Sequence, residues 1–302
     1  MSLHALRFSV VGLGLMAASC SALNMSSVSK APGDIVRAAG KTANTIIDNP
    51  ECEKLKADIP IQEEYSLGGA VALTWVRRGG GLMLANADEK QLHQYINTVG
   101  RNLAAQSPRP TLQWTFGVLL DPEAFDAVSA PGGYVFLTRG LLQGVDNEAQ
   151  LAGVLAHEIA HITLKHALTR YGDTKATQCK VNALKLRLDS LTDKVVDSIV
   201  ANGFGKEDEF SADELAVHLL VSAGYEPQEY IDFLGKIPDS RRGFANHPRK
   251  ADRVKRLVTL LEESQKPSEN FTDLPAGTQG LVKPPLPPTF AVVKTRVPPR
   301  AK

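Results

Sequence analysis

His157-Glu158-Ile159-Ala160-His161, set within the run Asn147 to Leu168, decides how this 302-residue chain is read. Apolar residues at Leu151, Val154, Leu155, Ile159 and Ile162 recur at helical spacing, and Asn147 with Gln150 three residues on has the form of a capping box. The pattern predicts a helix from Asn147 to Leu168. Four residues apart, His157 and His161 share one face, where both imidazoles can reach one zinc ion, and Glu158 beside them can take a proton from water. Such a string arises by chance in roughly 1% of chains of this composition, so an accidental match is set aside.

A catalytic zinc of this kind needs a third protein ligand and one open position. Glu209 and Asp213, again four apart, lie on a helix predicted from Glu207 to Ala223 and stopped by Gly224. Taken alone, such a pair is a solvated helix face. Beside the histidine pair, Glu209 becomes the third ligand of one zinc per chain, and Asp213 the acceptor that fixes the tautomer of a ligating histidine. His166 follows His157 by nine residues, half a rotation away on a continuous helix, and so falls outside the site.

Working outward, the spacing predicts helices over Ile61 to Arg78, Asp88 to Ala105, Gln228 to Lys236 and about Arg249 to Glu263, with a polar-faced segment from Lys175 to Val200. Strands are predicted at Thr111 to Leu120 and Tyr134 to Thr138, with Pro131-Gly132-Gly133 turning into the second. Trp75 and Trp114 read as core or interface residues rather than a binding platform.

These motifs, in this order, resemble the HtpX/BepA-like metallopeptidases, gluzincins, over about Glu63 to Leu260. The resemblance is carried by Glu64-Tyr65-Ser66-Leu67-Gly68, Tyr95 to Leu103, Pro131 to Leu142, His157 to His161, Glu209 to Asp213, Ala223 to Pro227, and His247-Pro248 with Arg253. It implies an α+β, mainly helical domain with a small antiparallel sheet whose edge strand binds substrate, here Tyr134, Val135, Phe136 and Leu137. It also implies peptide hydrolysis with zinc on His157, His161 and Glu209, Glu158 as the base, and a role for His247. That role is an oxyanion donor, an occupant of the open zinc position, or a loop anchor before Pro248. Arg253 reads as a structural or a carboxylate-pairing residue, with a catalytic role as the lesser alternative. Two departures stand out: Asp126-Ala127-Val128 replaces the usual Asn-Ala-Phe, and Ser211 stands where a Glu is common.

Flanking segments place this domain, residues 61–265. Residues 1–19 resemble a lipoprotein signal peptide: Arg7 precedes an apolar run from Phe8 to Ala18 that is too short for a membrane helix, and Ala17-Ala18-Ser19-Cys20 resembles a lipobox. Cys20 would carry the lipid and residues 20–60 a tether, putting the domain at the periplasmic face of the outer membrane; a soluble periplasmic protein, cut near Ala22, is the alternative. Cys52 and Cys179 remain, either bridged or as two buried thiols. Residues 266–302 are proline-rich and read as a flexible tail. With 34 basic and 33 acidic residues the net charge is +1, which offers no general field for nucleic acid. The expected partners are unfolded or misassembled envelope proteins and, through Cys20, outer-membrane lipid. The alternative function is a client-binding lipoprotein with restrained peptidase activity.

Overall fold

Pro50–Ala57 (α1) and Ile61–Arg78 (α2) open the described part of the chain. The computed structural model describes residues 50–57, 59–181, 203–237, 250–264 and 280–294. Cys20, His247 and most of the predicted Lys175 to Val200 segment lie outside those residues.

Asn86 caps Ala87–Ala105 (α3), its side chain accepting from the backbone N–H of Glu89 while Glu89 reaches back to the Ala85 N–H. Three strands follow: Thr115–Leu119 (β1), Ala127–Ala130 (β2) and Tyr134–Thr138 (β3). Their order is β1-β3-β2, with β1 parallel and β2 antiparallel to β3. The sheet is therefore mixed rather than antiparallel, and Tyr134 to Leu137 form its central strand, not its edge. Both rows of β3 backbone groups are paired, so a peptide has no place to add there. The uninterrupted aromatic and aliphatic run Tyr134-Val135-Phe136-Leu137, buried from Val135 onward, fits a central strand covered on both faces.

The two outer edges differ. On β1 the side chain of Asn97 in α3 both donates to the Phe116 carbonyl and accepts from its N–H, and His93 accepts the Val118 N–H. These side chains stand in for a fourth strand and close that edge. On β2, Thr138 N–H donates to the Asp126 carbonyl, which fixes the alternation of the ladder. Ala127 and Ser129 consequently turn their N–H and C=O groups away from β3.

Arg139–Gln143 (α4) leads to Glu148–Thr163 (α5), the helix of the histidine pair. Every residue from Ala149 to Thr163 is buried. A helix enclosed on all sides has to be central, and α3, β2 and two later helices, Lys206–Ser222 (α7) and Gln228–Lys236 (α8), pack around it. Gly153 permits the close approach of α8, since a Cβ there would meet Tyr230 at 2.6 Å. At its far end, buried Glu64 takes two hydrogen bonds from Arg109 and one from Gly132 N–H, while Arg109 also donates to the Ile162 carbonyl. One ion pair thus ties α2, the turn into β3 and the C-terminus of α5 together.

The predicted helix to Leu168 is broken. Leu164 caps α5, Lys165 takes a positive φ of 61°, and a new helix, His166–Val181 (α6), begins in another direction. Cys179 on α6 is joined to Cys52 on α1 across 127 positions of sequence. Closing so long a loop restricts the unfolded chain, so replacing both cysteines by alanine should lower stability by roughly 2–5 kcal/mol. Urea midpoints of the oxidised wild type and of the variant check this; equal midpoints would leave the bridge without a stabilising part.

Lys250–Ser264 (α9) is followed, within the described residues, by 280–294. That segment corrects the expected tail. Val282 exchanges backbone hydrogen bonds with Gly224 and Glu226, Lys283 pairs with Glu229, and the Pro284 carbonyl accepts the Glu148 N–H at the start of α5. Pro288–Lys294 then forms a 3-10 turn whose Phe290 and Val293 are buried in the main core. The prolines set an extended backbone, while Leu286, Phe290 and Val293 anchor it. So sparse a set of anchors has no period to read.

Candidate metal centre

α5 and α7 lie side by side, and their contact brings the histidine pair to Glu209. One ligand atom each from His157, His161 and Glu209 lies within 4.8 Å of the others, all three residues buried. The two Nε2 atoms are 3.0 Å apart, and each is 3.5 Å from a Glu209 carboxylate oxygen. The three atoms face one point, the arrangement a metal ion needs. Glu158, 1% exposed, borders a cavity with His157, walled in part by Ala127, Leu141, Phe233 and Arg253.

Asp213 lies one turn beyond Glu209. One of its oxygens is 3.0 Å from His157 Nδ1 and accepts from Tyr230 Oη at 2.8 Å and from Arg253 at 2.7 Å; the other accepts from Arg253 Nε at 2.8 Å. Arg253 also stands 3.3 Å from Glu209. A guanidinium fork between two buried carboxylates is the pairing read for Arg253 in the sequence, and here its geometry is bidentate. Burial works against the Asp213 charge, yet Arg253 and then His157 hold the carboxyl well below the usual carboxylate range. Burial and Arg253 push the His157 imidazole down, but Asp213 and Glu209 outweigh them and raise it to about 9. A metal binding through His157 has to displace that proton, so its apparent affinity rises with pH through this group.

The break at Lys165 changes the standing of His166. Its Nδ1 lies 2.9 Å from His161 Nδ1, and its Nε2 is 3.2 Å from Ser211 Oγ. Burial lowers its pKa. Phe204 stacks on the other side of the site, its ring 4.1 Å from that of His161 at 17° between planes. Neither contact is written in the sequence: no Gly or Pro marks the break at Lys165, and Phe204 and Tyr230 stand in no spacing that points to a site. His247 falls outside the described residues.

An HExxH pair on a central helix, a carboxylate from a second helix and a small sheet beside them define a metal-dependent peptidase. The chain matches the model of peptidase family M48 over residues 89–261, more than half its length, and it belongs to that family. It is 30% identical over 172 residues to the beta-barrel assembly-enhancing protease of Yersinia pestis, covering 52% of this chain and 35% of that one. To the mitochondrial metalloendopeptidase OMA1 of Schizosaccharomyces pombe it is 28% identical over 181 residues, 57% of this chain and 53% of that one. The human metalloendopeptidase OMA1 is 24% identical over 177 residues, 51% and 34% of the two chains. The chain thus spans between a third and about half of these relatives.

Proposed function

We propose that this chain is a zinc endopeptidase acting on unfolded or misassembled proteins of the cell envelope. The observation that carries the reading is the buried cluster of His157, His161 and Glu209 with Glu158 next to His157, these last two lining one cavity. Two imidazole nitrogens and one carboxylate oxygen are a donor set suited to one zinc ion. When bound, the ion supplies Lewis-acid polarisation of the scissile carbonyl and raises the acidity of water.

The protein's own groups do the rest. Glu158 takes the proton of the attacking water and returns it to the leaving amine. Asp213 accepts the His157 Nδ1–H, which leaves Nε2 as the ligating atom. An extended peptide adds to the outer edge of β2, where Ala127 and Ser129 present backbone groups next to the cavity that holds Glu158. Main-chain pairing tolerates many sequences and demands a segment free to extend, which suits an unfolded client.

The envelope setting rests on the Phe8 to Ala18 run with its Cys20 motif and on the relative named a beta-barrel assembly-enhancing protease. Among the described residues no helix is long and apolar enough to cross a membrane; membrane attachment in this reading rests on the Cys20 motif. The test is one preparation assayed for zinc content and casein cleavage, with and without chelator. About one zinc per chain, with cleavage lost on chelation and restored by zinc, is expected; cleavage indifferent to chelation would overturn the proposal.

A further inference from the structure

We propose that His166 is a positioning residue for the metal site, holding His161 through a one-way chain of hydrogen bonds that ends at Ser211. The proposal rests on reading His157, His161 and Glu209 as the ligand set.

For His161 to ligate through Nε2, the atom facing His157 and Glu209, its proton must sit on Nδ1. That Nδ1 is 2.9 Å from His166 Nδ1, so His166 accepts there and carries its own proton on Nε2. Its Nε2–H in turn faces Ser211 Oγ at 3.2 Å, and the serine hydroxyl donates to the Asp208 carbonyl at 3.0 Å. Each group has one donor role and one acceptor role, and only one direction satisfies all of them. The tautomer of His161 follows from the end of the chain.

The arrangement depends on two local features. Lys165, the one non-glycine residue with positive φ among those described, turns the chain so that His166 doubles back on His161. On a helix continued through that point His166 would face away. Residue 211 is the second. Ser211 closes the chain with a neutral hydroxyl, while an Asp208 carboxylate oxygen stands further off, 4.0 Å from the same His166 Nε2. The two ligating histidines thus have unlike supports, an anionic carboxylate held by Arg253 for His157 and a neutral imidazole for His161.

The test exploits side-chain geometry. In asparagine the carbonyl oxygen occupies the place of the histidine Nδ1, so His166→Asn keeps the acceptor. His166→Leu removes it. His166→Gln carries its amide one carbon further, toward Ser211, and also loses the acceptor at the Nδ1 place. Zinc affinity of the full-length protein is measured by competition with a chromogenic chelator, and the visible absorption of the cobalt-substituted protein reports ligand geometry. We expect His166→Leu and His166→Gln to weaken zinc binding by about 10–100-fold and to alter the cobalt spectrum, with His166→Asn staying within a few-fold of wild type. Should the leucine variant not fold, the glutamine and asparagine pair carries the comparison. Wild-type affinity in the glutamine or leucine variant, or an asparagine variant no better than either, would overturn the proposal. Failure of the underlying ligand set is seen separately: wild-type protein would then take up no zinc, or would bind it as well after His161→Ala.

Discussion

Glu158→Gln should leave the fold and the bound zinc intact and lower the rate of peptide cleavage by about 10²–10⁴-fold. The amide matches the carboxylate in size, so the packing of a side chain only 1% exposed is preserved. It cannot accept a proton at neutral pH. In the proposed mechanism the variant therefore separates the ligands, which would hold the ion, from the base, which would act on water. Zinc content and casein cleavage on paired preparations give the answer. A variant with equal zinc and undiminished cleavage would remove Glu158 from the mechanism.

Arg253→Ala should cost about 3–5 kcal/mol of stability, because it strips the bidentate partner from Asp213 while the carboxylate stays 1% exposed. Tyr230 and His157 would remain on Asp213, but neither carries a permanent positive charge. The same change releases Glu209 from its 3.3 Å contact with the guanidinium. Removing both members, Arg253→Met with Asp213→Asn, should restore part of the loss, since the Asp213 charge is then gone and Glu209 alone is left without the guanidinium. Urea unfolding of the metal-free proteins measures both. A loss below about 1 kcal/mol for the single variant, or no recovery in the double, would show that the pair is not the buried support described.

Local signals were enough for much of the fold. The spacing over Ile61 to Arg78 gives α2 its observed limits, and Asn147 with Gln150 marks the start of α5, because caps and apolar faces are written within a few residues. The motif residues meet for the same reason: four-residue spacing on two helices needs only that the helices pack. Three things were hidden. β2 is a four-residue strand, Ala127-Val128-Ser129-Ala130, whose pairing with β3 depends on the Pro131-Gly132-Gly133 turn rather than on any alternation of its own. The order of strands is set by β1 crossing to the far side of β3, which no local pattern encodes. His166 was misplaced because the break at Lys165 is stabilised by what surrounds it, with no residue that favours positive φ.

The bond from Arg139 to the Val293 carbonyl spans 154 positions, and the Pro284 carbonyl completes the capping of α5 from almost as far. Contacts at such separation form late, after shorter loops have closed. A chain delivered from its N-terminus therefore holds both histidines and Glu209 well before the first turn of their helix has its last partner. In a nascent protein the start of α5 would be among the last parts to set, and a chain cut short before residue 280 would carry His157, His161 and Glu209 with the Glu148 N–H still lacking its Pro284 partner.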